Sequence, residues 1–337
     1  MKNAKWISSI FDNIPGVLLT VIYDLMNKGV IKIADKRIFY GGIAIIAAII
    51  STGMAMFFFA QAKERVPQSE KTPSLLEGLK TIVHNRPVFL LMLSDLLGAF
   101  TLSTSQDNYF IDVLGYSTFF TLVELPSIPL CHISYTYVSW MRRRFSSRAL
   151  WILSSNFDNF QKILTFALGC IGGTGKNGWY RSWKKMFMVM APLDMARKSF
   201  WGVRNVVPQE ITYEAIDYCE WKNGYRSEGM IIITKGLMSK IVRNTTSGLQ
   251  SAILSAIGYS LKEGFGNQSD STKFGIFMAA FLLPGVTGAF SIIPKLMYRL
   301  DGPEKEIMYQ ELMERRRSME RLKSYNKGKD DDTRGAE

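Results

Sequence analysis

The stretch that decides the fold of this chain is FYGGIAIIAAIISTGMAMFFFA, Phe39–Ala60. A helix needs about 20 mostly apolar residues to cross the hydrocarbon core of a bilayer, and this run reaches that length without a charged side chain. The pattern of the whole chain predicts an all-α polytopic membrane bundle of about eight transmembrane helices. The other predominantly apolar stretches are Ile7–Leu25, Pro87–Thr104, Ser117–Met141, Ala149–Ile171, Met186–Val207, Met230–Leu261 and Phe274–Leu296.

The net charge of +12 lies mostly between the apolar stretches and in the C-terminal tail. Nucleic-acid binding, one interpretation of a basic chain, would place basic and aromatic residues together on a soluble fold. Here the basic clusters flank apolar stretches, which favours the positive-inside rule of membrane proteins. That rule places Arg142–Arg144, Arg315–Arg317 and both termini in the cytoplasm of a multi-pass cell-membrane protein, although Lys176–Lys185 then brings four basic residues outside.

Residue types that carry enzyme chemistry are sparse in this sequence. The three cysteines stand far apart, and with only two histidines neither type forms a metal-ligand pattern. We find no zinc-protease motif, no glycine-rich phosphate loop and no Ser/His/Asp spacing. The sequence therefore predicts a protein that is not an enzyme and that holds no metal and no cofactor.

Ionisable residues inside the apolar stretches indicate a transport pathway. Each costs about 2.5–3.5 kcal/mol at the centre of a membrane helix, so such residues usually face a bundle interior or a water-filled cavity. The residues in question are Asp95, Glu124, His132, Asp158, Lys162, Lys235, Lys240 and Arg243.

A polar stripe on the stretch Met230–Leu261 gives the first candidate site residues. Lys240 and Asn244 are candidates for substrate binding or coupling, whereas the small residues of the stripe are equally typical of a close helix–helix interface. Lys235 lies nearer the predicted cytoplasmic end, where we expect it to extend to the interface. The stripe consists of Gly236, Lys240, Asn244, Ser247 and Ser251, spaced for one helix face.

Trp201 is the third candidate for substrate binding, because its span also contains Asp194, Arg197 and Arg204. An indole ring can stack on a sugar ring. Packing in the core of the bundle is the alternative and the more usual role of a buried aromatic residue.

One segment resembles the signature of a known family. Asp217–Gly229 reads DYCEWKNGYRSEG, which is similar to DYGEWKTGxRxEG of the glycoside–pentoside–hexuronide:cation symporters in the major facilitator superfamily, with Cys219 in place of the glycine. The resemblance implies a cytoplasmic connection whose charged residues form ion pairs that close the inward side; a solvated charged loop is the alternative. The residues of this cytoplasmic gate are Asp217, Glu220, Arg226 and Glu228.

The same resemblance implies the function and the domain organisation. It predicts symport of a sugar or glycoside with Na⁺ or H⁺, and it places Lys240 at the position of a functional lysine near the sugar and cation sites. The chain corresponds to the family pattern from its fifth helix onward, and the family's cation-binding carboxylates lie on earlier helices. We therefore expect a partner N-terminal bundle, and a non-transporting membrane protein that keeps part of the fold is the alternative. The expected regions are 1–60, the end of an N-terminal bundle; 61–86, a cytoplasmic linker; 87–300, the C-terminal bundle; and 301–337, a cytoplasmic tail.

Overall fold

The computed structural model describes residues 22, 36–61, 80, 82–116, 118–225, 228–260, 263, 266–300 and 302–334. Most of the predicted helix Ile7–Leu25, much of the predicted linker 61–86, and Arg226 lie outside the described residues. The described residues fall into two compact units. The larger contains those between Ser69 and Arg315, and the smaller contains those up to Gln68 and from Arg316 onward.

The described chain consists of helices joined by turns and contains no strand. Short 3₁₀ segments lie at Leu125–Ser127 and Trp179–Arg181, and a π-helical segment lies at Met278–Leu282. The α-helices are α1 (Lys36–Gln61), α2 (Arg86–Ala99), α3 (Gln106–Asp112), α4 (Phe119–Glu124), α5 (Ile128–Ile133), α6 (Val138–Arg144), α7 (Ser147–Gly169), α8 (Trp183–Ser199), α9 (Trp201–Asn223), α10 (Glu228–Ala256), α11 (Asp270–Phe277), α12 (Leu283–Ala289), α13 (Ile292–Met297) and α14 (Pro303–Arg334).

Two helical stretches of the described chain are by themselves long and apolar enough to cross a membrane. They are Ile38–Gln61, within α1, and Asp270–Met297, which runs through α11, the π-helical segment, α12 and α13. Other helices mix apolar residues with charged ones, as α7 does with Asp158 and Lys162, and this lowers their mean hydropathy. The all-α membrane bundle expected from the sequence is what the chain forms.

Prolines divide the predicted span Ser117–Met141 into α4, a 3₁₀ segment, α5 and α6. Pro126 lies in the 3₁₀ segment and Pro129 in the first turn of α5. Proline has no N–H to donate and its ring crowds the preceding turn, so a continuous helix is not maintained.

The predicted helix Pro87–Thr104 is wrong at its C-terminal end, because α2 stops at Ala99 and extended chain leads to α3. Backbone groups of this unwound segment are bonded to the α11–α12 region. The N–H of Leu102 donates to Thr287 Oγ1 at 3.2 Å, and the N–H of Thr104 donates to the Ala279 carbonyl at 3.2 Å. Irregular backbone at membrane depth is tolerated where it is buried or lines a cavity, and this segment does the latter.

Two apolar clusters enclose the middle of the larger unit. The first packs around Trp151 and α9, and the second is an aromatic cluster around Tyr109, Tyr180 and Phe277. The helix α7 reaches both, because Trp151 belongs to the first and Phe166 packs against the second. The residues of α7 between those two positions are free to line a polar space.

Candidate binding site

A polar cavity of about 390 Å³ lies between the two apolar clusters. A second cavity, of about 340 Å³, shares Thr101, Asp158 and Lys162 with the first. The walls combine charged and polar side chains with apolar ones such as Phe120 and Phe281. Ionisable residues that line one or both cavities are Asp95, Glu124, Asp158, Lys162, Asp194, Arg197, Lys198, Arg204 and Lys295.

Asp158, in the middle of α7, is the centre of the charge network. Its carboxylate lies 2.8 Å from Lys162 Nζ, 3.7 Å from Arg204 Nη1 and 3.9 Å from Arg197 Nη1. The lysine is on the same helix at the i+4 position, whereas the two arginines come from α9 and α8. Three helices are therefore held around one carboxylate at the junction of the two cavities.

A second group of charges joins α4 to the C-terminal end of α8. Glu124 lies 3.0 Å from Lys198 Nζ and 3.6 Å from Arg197 Nη2. Arg197 also contacts Asp194 at 2.5 Å, and Ser127 Oγ donates to the other oxygen of that carboxylate at 2.5 Å. Since Arg197 reaches Asp158 as well, both groups form one connected network.

Trp201 forms part of the wall of the first cavity, where the sequence predicted a substrate contact. Its ring faces three cations, with Lys198 Nζ at 4.7 Å from the ring centroid, Arg204 Cζ at 5.8 Å and Arg197 Cζ at 5.9 Å. The aromatic face is attractive to cations and holds them near the cavity. Its contact with substrate stays a prediction.

Lys240 and Asn244 are placed differently. Both are exposed on α10, and neither lines either cavity. All five residues of the predicted polar stripe are exposed in the larger unit. The stripe thus points away from the described part of that unit, and the role of Lys240 and Asn244 in binding or coupling stays a prediction.

Lys235, rather than Lys240, meets a carboxylate inside the unit. Lys235 Nζ lies 2.8 Å from Asp95 of α2 and donates to Thr212 Oγ1 at 3.2 Å. The expectation that this side chain extends to the membrane interface is wrong. Five residues separate the two lysines, which on a helix is a rotation of about 140°, so only Lys235 faces α2.

The predicted gate segment is mostly helical. α9 continues to Asn223, Gly224 ends it with a φ of 78°, and α10 begins at Glu228. Glu220 is only 7% exposed, so the alternative of a solvated loop is wrong for this residue. Nearby, Trp221 Nε1 donates to Glu311 of α14 at 2.6 Å. The closing role of Asp217, Glu220, Arg226 and Glu228 stays a prediction.

Sequence reasoning did not single out Lys198 and Lys295 as site residues. Lys198 could have been found from its position next to Arg197 in a predicted span, and Lys295 from its position near the end of the span Phe274–Leu296. Among the described residues, no three His, Cys, Asp or Glu side chains are grouped as metal ligands.

The described residues thus form a helical bundle that holds a cavity lined by charged side chains. The sequence profile described as "MFS/sugar transport protein" matches residues 4–302, and the chain belongs to this family of the major facilitator superfamily. The resemblance seen in Asp217–Gly229 is thereby confirmed at the level of the family.

Three similar proteins come from enteric bacteria. A provisionally named sulfoquinovose importer of Salmonella typhimurium strain LT2 is 24% identical over 302 residues, covering 84% of this chain and 58% of that protein. A provisionally named 2,3-dihydroxypropane-1-sulfonate exporter of Escherichia coli strain K12 is 23% identical over 243 residues, covering 70% and 49%. A protein of Salmonella typhimurium with the same provisional name is 24% identical over the same length. The chain spans about half the length of these relatives.

Proposed function

We propose that this chain carries the substrate cavity of a transporter for small hydroxylated organic anions, with a sulfonated sugar as the representative substrate. The charge of the cavity wall carries this proposal. Five cationic side chains line the two cavities against four carboxylates, and one of those carboxylates, Asp95, is also bound by Lys235 from outside the lining. The surplus of positive charge suits an anionic ligand, and the polar wall suits hydroxyl groups.

The relatives support the same substrate class. The names of the similar proteins refer to sulfoquinovose and to 2,3-dihydroxypropane-1-sulfonate, which are both hydroxylated sulfonates. A sugar phosphate or a hexuronate would also carry a negative charge. The cavity therefore supports an anionic substrate in general, and the names of the relatives support a sulfonate in particular.

We further propose that transport is a symport driven by Na⁺ or H⁺ across the cell membrane. The support is the resemblance of Asp217–Gly229 to the cation-symporter signature. The family pattern places its cation-binding carboxylates on helices before the fifth, so we assign the coupling ion to a partner N-terminal bundle. Rocking of two bundles about a site near the membrane midplane is the corresponding mechanism.

Uptake by cells that express the chain together with a partner N-terminal bundle tests this function. Radiolabelled sulfoquinovose and radiolabelled glucose are supplied with and without a Na⁺ gradient, and with a protonophore. We expect accumulation of sulfoquinovose that excess glucose does not suppress and that stops when the driving gradient is removed. The control variant is Lys184→Gln, which neutralises an exposed lysine outside both cavities and should transport normally.

Each part of the proposal has its own contrary result. Equal accumulation of glucose would refute the anionic substrate class, and uptake that ignores both gradients would refute symport. Absence of uptake by a chain that is fully inserted would favour the alternative, a non-transporting membrane protein.

A further inference from the structure

The second cavity contains a buried cation that forms no direct ion pair among the described residues, although Asp95 lines the same cavity and the centroid of the Trp151 ring lies 5.6 Å from its Nζ. Lys295 is 4% exposed and lines this cavity of about 340 Å³. Among the described residues no carboxylate oxygen lies within ion-pair distance of Lys295 Nζ, whose one hydrogen bond goes to Ser291 Oγ at 3.2 Å. A buried ammonium normally has a charged partner, so this arrangement points to a ligand that supplies one.

A chain of hydrogen bonds fixes the direction in which Lys295 presents its donors. Ser291 Oγ donates its own proton to Asn156 Oδ1 at 3.1 Å, so its lone pairs are turned to the ammonium. Asn156 is held in turn by a bond from its amide to the Ile152 carbonyl at 2.9 Å. An ammonium has three N–H groups, and two of those on Lys295 remain for a ligand.

A second unused donor lines the same cavity. Arg204 Nη1 is shielded from solvent, and within the described residues it makes no hydrogen bond. The Asp158 carboxylate lies 3.7 Å away, within reach of Coulomb attraction but too far for a hydrogen bond. In the first cavity, Gln161 Oε1 is an acceptor that is likewise buried and without a hydrogen-bond partner among these residues.

We infer that the two cavities are subsites that orient one substrate. The second cavity binds the anionic head group, a sulfonate, through Lys295 Nζ and Arg204 Nη1. The first binds the hydroxylated part, with Gln161 and the Trp201 ring as its contacts. Asp158 and Lys162 form an ion pair and line both cavities, so the substrate extends past them from one subsite to the other. This inference rests on the proposed function, because it assigns the parts of that substrate to places in the structure.

Titration calorimetry on the chain in nanodiscs of neutral lipid tests the assignment, with sulfoquinovose, glucose and inorganic sulfate as separate ligands. The readout is the ratio of the glucose Kd to the sulfoquinovose Kd. We expect Lys295→Gln to weaken sulfoquinovose about tenfold to a hundredfold, the usual value of hydrogen bonds to charged groups, with glucose unchanged. Lys295→Arg keeps the charge and should restore part of the preference; the matched control Lys184→Gln should keep the ratio.

The outcomes separate the subsite from the proposed function. A folded Lys295→Gln protein that keeps the full ratio overturns the subsite, while the preference of the unchanged chain still supports the substrate class. If the unchanged chain binds glucose as tightly as sulfoquinovose, the substrate class fails. Sulfate then tests the subsite separately. Loss of sulfate binding in Lys295→Gln supports the subsite, and unchanged sulfate binding in that variant refutes it. A monodisperse size-exclusion profile confirms that each variant is folded.

Discussion

Asp158 shows how nearby cations stabilise a carboxylate inside a membrane bundle. Its side chain is 23% exposed and is surrounded by Lys162, Arg204 and Arg197. Losing hydration is costly for each of these ions, and mutual attraction at low dielectric offsets that cost only when the partners are close. The four side chains therefore depend on one another unequally, because Lys162 and Arg204 pair only with Asp158 among the described residues, whereas Arg197 also contacts Asp194 and Glu124.

This unequal dependence predicts that Asp158→Asn destabilises the fold more than Lys162→Gln does. Asp158→Asn leaves Lys162 and Arg204 without an ion-pair partner among the described residues and should destabilise the fold by about 1–3 kcal/mol, between the values for exposed and for buried pairs. Lys162→Gln should cost less, because both arginines still neutralise the carboxylate. Thermal unfolding in detergent measures both, with Glu306→Gln on an exposed position of α14 as the control. Equal losses for Asp158→Asn and Lys162→Gln would contradict the shared-anion arrangement.

Trp201 should contribute to substrate affinity through its aromatic face rather than through the volume of its side chain. In Trp201→Leu the cavity keeps an apolar wall but loses the π face that Lys198 and Arg204 contact. We expect sulfoquinovose affinity to fall about three- to tenfold, the usual value of aromatic contacts, and to recover partly in Trp201→Phe. Calorimetry measures both variants. Identical affinities for the leucine and phenylalanine variants would show that Trp201 only packs in the core of the bundle.

At the scale of elements, the close approach of α12 to α7 positions the middle of the cavity wall. A Cβ atom on Gly285 would lie 2.7 Å from Ile163 Cγ1 and 3.0 Å from the Asn159 carbonyl oxygen of α7. Only glycine allows the backbones this separation. Because α7 carries Asp158 and Lys162, its distance from α12 fixes where the central carboxylate stands.

Gly285→Ala is therefore expected to push the two helices apart. Overpacking of this kind typically costs about 1–3 kcal/mol. The matched control is Gly53→Ala in α1, where nothing lies within 4 Å of the added Cβ and alanine is the better helix former. Thermal unfolding should show a lower midpoint for Gly285→Ala and an unchanged or higher one for Gly53→Ala. A midpoint for Gly285→Ala at or above that of the parent chain would show that α7 and α12 yield without cost.

At the scale of the whole molecule, the orientation in the membrane follows from charge. The rule that cytoplasmic connections are basic places the connection after α6 inside and the connection before α11 outside. In a chain without its three cysteines, a membrane-impermeant maleimide applied to intact cells should label Asn267→Cys and not Arg144→Cys. Both positions are exposed, so access to the thiol does not limit the reaction. Labelling of Arg144→Cys alone would mean that the chain is inserted the other way round.

The sequence by itself determined the class of the molecule and several of its local features. Apolar length predicted an all-α membrane bundle, and Asp217–Gly229 predicted the family. These features depend on residues that are neighbours in the chain. The pair of Asp158 with Lys162 is of the same kind, since the i+4 spacing brings both to one face of a helix.

Only the tertiary structure decided which charges meet across helices. Lys235 was expected at the interface and contacts Asp95, whereas Lys240, the candidate from the sequence, lies on the exposed side of α10. Periodicity gives the relative angle between two side chains on a helix, but the rotation of that helix toward its neighbours is set by packing. For the same reason Lys295 could be recognised as a charge in a span, and its burial without a carboxylate partner among the described residues became visible only once α13 was placed against α2 and α7.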